Sequence, residues 1–218
     1  MKWGFNFECF GLFRKIENDF AEKTKKTLLC QVKMLTVATV ARMAASHETS
    51  KTKTKPVRKR WFVMATINQV CDYIILACQE GGERLNLLKL QKLLYYAQAW
   101  NLAINGKPLF AGKFQAWVHG PVNREIYNRF SGAKSLYSAV DQADMTEGFT
   151  LDNISPDDRQ HIDNVLEVYA PFSGSDLEAQ THSEDPWIRA RGTCKPTERC
   201  ENELDEAFMA SYYKQRLN

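Results

Sequence analysis

Apolar residues recur along this chain with two periods, and each period marks a different kind of element. Ile67, Val70, Cys71, Ile74, Ile75 and Cys78 fall at helical spacing, which predicts a helix with one buried face. Thr66 and Gln69 form a capping-box pair at its start, and Gly81-Gly82 supplies a left-handed stop. A second helix opens at Asn86 and carries Leu87, Leu90, Leu93, Leu94, Ala97 and Trp100 before Gly106 and Pro108 close it. Its length and its two apolar edges mark it as the central, most buried element.

The period then changes to two. Phe114, Ala116 and Val118 alternate with Gln115, Trp117 and His119, which predicts a short strand. Phe110 is expected on its antiparallel partner, with Ala111-Gly112 as the turn. Gly120-Pro121 reads as the strand's stop, and proline in a first turn suits a helix over Val122–Phe130 that buries Ile126, Tyr127 and Phe130. Residues 131–153 are polar and without period, which predicts a mobile connection. Ser155-Pro156-Asp157-Asp158 is the clearest helix start in the chain, with Ile162, Val165, Leu166 and Tyr169 behind it as the buried face. Ser175 and Glu178 suggest a short helix around Leu177, and Asp185-Pro186 opens another from Trp187 to Arg191 before Gly192. A last amphipathic helix is expected over Asn202–Leu217 with Leu204, Ala207, Phe208 and Tyr212. The fold class that follows is mainly α, a compact domain of about six helices with one small antiparallel β-hairpin.

Charge divides the chain differently. Residues 1–63 hold 14 Lys and Arg against 5 Asp and Glu, whereas residues 64–218 hold 15 against 21. A basic N-terminal extension thus precedes an acidic body, and the break near residue 63 is the expected domain boundary. Within the extension one helix is expected over Ala21–Ala45, followed by a polar, basic linker. Two origins fit it: a genuine basic arm or leader, or residues upstream of a natural start at Met64, the second being preferred. Lys51–Arg60 contains six basic residues, but no aromatic is interleaved with them and an acidic body lies behind. A solvated linker is therefore expected, and nucleic acid is not expected as a partner.

Gln31, Lys33 and Arg42 interrupt the most apolar window, so no membrane span is expected, and the N-terminus lacks the pattern of a secretory signal. A cytoplasmic protein follows by default. The six cysteines show no CxxC pair, which predicts free thiols in a reducing compartment and no zinc site. Catalytic signals are equally sparse. His182-Ser183-Glu184 has the HxE spacing of nucleobase deaminases, but the required P-C-x-x-C partner does not follow. No GxSxG elbow or phosphate-binding glycine loop occurs. The expectation is a protein without catalytic residues, metal or cofactor. Aromatic residues carry more information, since Trp117, with His119 beside it, falls opposite the buried positions of its strand. Such a side chain either anchors an interface or covers a second core layer.

Three blocks in fixed order add a family resemblance. They are KLQKLLYYAQAW, with Lys89, Gln91, Lys92, Tyr95 and Tyr96; the hairpin block, with Trp117, His119, Gly120 and Pro121; and THSEDPWIRAR, with His182, Glu184, Asp185, Pro186, Trp187 and Arg191. From about Thr66 onward the chain resembles the Panacea domain of phage- and plasmid-associated bacterial proteins, the family of SocA-like antitoxins and GepA-like proteins. The resemblance implies an antitoxin of a toxin-antitoxin system that neutralises a cognate toxin by direct binding. It also implies one alternative, an adaptor delivering a toxin to an ATP-dependent protease; the basic run Lys51–Arg60 offers another, a DNA-binding regulator using the N-terminal arm. The toxin-binding residues expected on this reading are Trp117, His119, Pro121 and Trp187.

Overall fold

Thr66 and Asn86 begin their helices as cap chemistry requires. In a computed structural model that describes residues 64–217, the Thr66 hydroxyl accepts the Gln69 amide at 3.2 Å and the Gln69 side chain accepts the Thr66 amide at 2.9 Å. Asn86 Oδ1 likewise accepts the Lys89 amide at 2.8 Å. The elements in chain order are α1 (Ile67–Glu80), α2 (Leu87–Asn105), β1 (Phe114–Trp117), β2 (Gly120–Asn123), α3 (Arg124–Phe130), α4 (Pro156–Tyr169), α5 (Gly174–His182), α6 (Asp185–Arg191) and α7 (Glu206–Lys214). Short 3-10 turns stand at Gln142–Asp144, Leu151–Asn153 and Gln215–Leu217. The described residues thus hold seven α-helices and one antiparallel two-stranded sheet, the mainly α class the sequence predicts. Residues 1–63, with the helix expected over Ala21–Ala45, the run Lys51–Arg60, and Cys9 and Cys30, lie outside the described residues.

Helix α2 is the axis of the fold. Of its 19 residues, 17 are buried, because α1, α4, α5, α7 and β2 all pack on it. Tyr95, Tyr96 and Trp100 are fully enclosed. Burial of each large side chain of this kind is worth roughly 1.5–3 kcal/mol, which makes α2 the main source of core stability. No helix among the described residues is long and apolar enough to cross a membrane.

The hairpin departs from expectation. The partner of β1 is β2, reached through the two-residue turn Val118-His119, with Trp117 opposite Gly120 and Ala116 opposite Pro121. Phe110 is a buried core residue and belongs to no strand. Pro121 therefore lies within a strand instead of opening a helix, and His119 sits in the turn. The register explains why proline is tolerated there. Ala116 sends its own N–H outward to the Asn202 carbonyl at 2.9 Å, so the Ala116–Pro121 pair exchanges no ladder bond and the missing N–H costs nothing. Helix α3 then starts two residues later than predicted, capped by the Asn123 side chain. Tyr127, expected in the core, is 39% exposed.

Other boundaries move for similar local reasons. Ser173 with Asp176, two residues upstream of the predicted pair, caps α5. Helix α7 begins at Glu206 because the preceding residues run beside β1, with Leu204 donating to the Phe114 carbonyl at 2.8 Å. Its buried face is Met209, Tyr212 and Tyr213, while Ala207 is exposed. Residues 131–153 are tied down and not a free connection. Leu88 donates to Leu136, Val140 donates to Leu85, and Arg129 clamps the Asp144 carbonyl at 2.7 Å while pairing with buried Asp72 at 2.5 Å. Cys71 and Cys78 are the predicted small core residues. Cys194 and Cys200, expected as free thiols, are joined in a disulfide. The turn after α6 returns the chain on itself, a fold-back that sequence spacing does not reveal.

Candidate functional site

Two side chains of α2 hold the hairpin from beneath. The Gln91 amide donates to the Asn123 carbonyl at 3.3 Å and accepts the Asn123 N–H at 2.9 Å. Lys92, with no exposed surface, donates to the Pro121 carbonyl at 3.2 Å. Burial draws its ammonium down to about 7, opposed by the nearby Glu178 charge. Gly120 is the residue that lets this lysine in. Its φ is +92°, and a Cβ there would stand 2.7 Å from Lys92 Cε and 2.8 Å from Thr181 Oγ1. A two-residue turn of Val118 and His119 thus needs glycine next, both for the left-handed backbone and for the space.

Above that support the hairpin presents Trp117. Its indole N–H donates to Gln115 Oε1 at 2.8 Å, its ring meets Tyr127 edge-on at 4.7 Å, and the guanidiniums of Arg124 and Arg199 lie over it at 5.5 and 5.9 Å. Both arginines share one carboxylate: Glu201 Oε1 accepts from Arg124 Nη1 at 2.7 Å and from Arg199 Nε at 2.8 Å. Their hydrogen bonds, Arg124 first and Arg199 second, hold Glu201 below the usual carboxylate range. His119 is exposed in the turn and its Nδ1 meets Glu178 Oε1 at 2.8 Å.

Trp187 joins this face from the side. Its N–H donates to the Trp117 carbonyl at 3.0 Å, and its ring stacks on His182 at 4.1 Å. His182 Nε2 is buried without a hydrogen-bond partner, the one such side-chain atom among the described residues, and burial holds the imidazole below its ordinary value. Arg191 is buried and gathers the carbonyls of Ala116, Lys195, Pro196 and Glu198, so that it fastens the loop bearing Arg199 against β1. Together these elements wall a groove of about 690 Å³, with Leu87, Val118, Val122 and Leu136 as apolar surface and Trp117, Tyr127 and Arg199 at its sides.

Of the four predicted contact residues, Trp117 and His119 line the groove. Pro121 is buried, and Trp187 is half-buried behind Trp117. Most of the other motif residues point inward. Lys89 closes the α1–α2 turn through Glu83 and the Arg84 carbonyl. Tyr95, Tyr96 and Glu184 build an internal network in which the Tyr213 hydroxyl donates to Glu184 at 2.6 Å and approaches the Tyr95 hydroxyl at 3.2 Å. Burial lifts the Glu184 carboxyl to about 7 against those hydrogen bonds. Glu184 is thus committed to tyrosines and not to His182, so the HxE spacing does not assemble a hydrolytic pair. Asp185 is exposed at the start of α6, and Pro186 is buried beside it. Among the described residues no group of three or more His, Cys, Asp or Glu side chains converges as a metal site would require. Sequence reasoning missed Tyr127, Arg124, Arg199 and Glu201. Only the fold-back of the 192–203 loop brings the last two to Trp117, and no periodicity signals it.

Comparison with known proteins agrees with the motif reading. Residues 90–188 match the family model described as "Antitoxin SocA-like, Panacea domain". Antitoxin SocA of Caulobacter vibrioides (strain NA1000 / CB15N) is 37% identical over 106 residues, which cover 46% of this chain and 56% of that relative. The chain thus spans little more than half the length of the curated relative it matches. No solved structure matches.

Proposed function

We propose, on the premise that residues 90–188 are a Panacea domain, that this protein is an antitoxin which neutralises a cognate toxin protein by direct binding. The observation that carries the reading is that the matched segment presents the partly exposed rings of Trp117 and Tyr127 side by side at one groove, while most of its remaining motif residues serve the scaffold beneath. An aromatic ring held rigidly at a polar-rimmed groove is the arrangement that anchors protein interfaces, because it buries large area at little rotamer cost. Neutralisation by occupancy needs no catalytic turnover and no cofactor. The neutralising unit on this reading is the body from residue 64 onward, with residues 1–63 dispensable.

Co-expression with the product of the neighbouring reading frame tests it. That product should arrest growth alone and be silenced by this protein and by its 64–218 fragment. The toxin should also persist in the cell when bound. A harmless neighbour removes the reading, and a toxin half-life that shortens on co-expression replaces occlusion with delivery to an ATP-dependent protease.

A further inference from the structure

The groove beside Trp117 is charged against the grain of the domain that bears it. The body from residue 64 onward carries 15 Lys and Arg against 21 Asp and Glu, yet the residues lining the groove include His119, Lys134 and Arg199 and no acid. Two of those side chains are already engaged, His119 with Glu178 and Lys134 with Asp144, each at 2.8 Å. The third is not fully matched. Arg124 and Arg199 place two guanidiniums over one indole and share the single carboxylate Glu201, all on its Oε1. The trio is left with a net positive charge. Each guanidinium has five donors in a fixed fork, and most of them remain unspent here. The side chains stay open to solvent, 70% for Arg199 and 43% for Arg124 and Glu201.

We propose, resting on the reading that the partner is a toxin protein, that this groove receives an extended segment of that partner bearing a carboxylate for Arg124 and Arg199 and a large apolar side chain for the floor beside Trp117. Charge complementarity selects the first feature and the apolar wall of Leu87, Val118, Val122 and Leu136 the second. The donors are held in place before binding. The indole carries both guanidiniums, the Cys194–Cys200 disulfide closes the loop that bears Arg199, and the Arg191 clasp fastens that loop to β1. Preorganised, charge-assisted donors gain affinity because little order remains to be imposed on them. Glu201 acts as a resident competitor for the same donors. One surplus charge on an acidic body favours a protein segment over nucleic acid, which requires a line of cations along its phosphates.

The test uses the full chain and two fluorescein-labelled peptides, one containing Asp-Glu-Phe-Leu-Asp and the other Asn-Gln-Phe-Leu-Asn, followed by anisotropy. The acidic peptide should bind and the neutral one should bind at least about tenfold more weakly, the factor expected when one charge-assisted contact of about 1.4 kcal/mol is lost. Arg124→Gln and Arg199→Gln should each weaken the acidic peptide by a similar factor. Glu201→Gln should tighten it severalfold, an outcome that no loss of folding could imitate. Equal binding of the two peptides overturns the proposal, as does weakening by Glu201→Gln or displacement of the acidic peptide by a single-stranded oligonucleotide. The antitoxin reading is judged separately. If the peptide results hold while no neighbouring product is toxic, the groove stands and that reading falls; if a toxin is neutralised equally by all three variants, only the groove proposal falls.

Discussion

The indole N–H of Trp187 donates to the backbone carbonyl of Trp117 at 3.0 Å, so the two tryptophans of the predicted contact face serve different purposes. Trp187 braces the hairpin from behind and stacks on His182, while Trp117 turns its ring to the groove.

Replacement of these residues should separate binding from stability. His119→Ala removes an exposed side chain, so its melting temperature should stay at the wild-type value. Trp117→Ala should cost about 1 kcal/mol of stability through loss of its ring and guanidinium contacts. Both should weaken neutralisation, with the tryptophan change costing about 2 kcal/mol or more, roughly thirtyfold in affinity. Trp187→Phe should instead lower stability first. Thermal melts alongside toxin binding distinguish the three, and a large fall in melting temperature for His119→Ala would assign that residue to packing.

Arg129→Ala should destabilise the protein by about 3 kcal/mol, because it strands the Asp72 carboxylate, 1% exposed, without its partner. The same change frees the Asp144 carbonyl, so amide exchange should quicken across residues 141–146. Denaturant unfolding with hydrogen exchange checks both, and unaltered exchange in that loop would mean that other contacts hold it.

Stability should depend on pH through two buried groups acting in opposite senses. Glu184 keeps its proton to about pH 7 when folded and releases it near 4.5 when unfolded. The folded state holds the extra proton between those values, so stability falls as pH rises through them, by on the order of 3 kcal/mol. Lys92 gives up its proton near 7 when folded and near 10.5 when unfolded. There the unfolded state holds the extra proton, so stability rises with pH above about 7. Glu184→Gln should flatten the acid limb and Lys92→Met the alkaline one, as read from denaturation midpoints across the range. An acid limb unchanged in Glu184→Gln would trace that titration to another group.

Gly120→Ala should cost about 3 kcal/mol. It forces a side chain into a backbone at φ +92° and against Lys92 and Thr181. Pairing it with Lys92→Ala should recover the part due to collision with the lysine and leave the part due to Thr181 and to backbone strain, a separation that a double-mutant cycle measures.

The helical scaffold was legible because its signals are local. Thr66, Asn86 and Ser155 each cap the helix that follows them, and the stripe from Leu87 to Trp100 announces a central helix by its period alone. The hairpin was misread because Gly120-Pro121 looks like punctuation in one dimension. Only the register against Ala116, set by the strand-like run of 202–204 on the far side, shows that proline there breaks no bond. The site was half legible for the same reason. Trp117 and His119 stand out by alternation, whereas Arg199 and Glu201 reach Trp117 through a fold-back encoded in long-range contacts. Polar residues on α2 such as Gln91 and Lys92 dilute its apolar periodicity, and their partners lie about thirty residues away in sequence.

Those same two side chains finish the small sheet. Along one margin β1 is bonded to the run 202–204, Ala116 donating to the Asn202 carbonyl and Leu204 to the Phe114 carbonyl. Along the other, Gln91 engages both polar groups of the Asn123 backbone, and Lys92 occupies the Pro121 carbonyl. Side chains of a helix thus stand in for a neighbouring strand, and neither margin of the hairpin offers an open row of amides and carbonyls for another chain to extend. Self-association by strand addition is closed to this hairpin, and whatever docks on it must recognise its side chains.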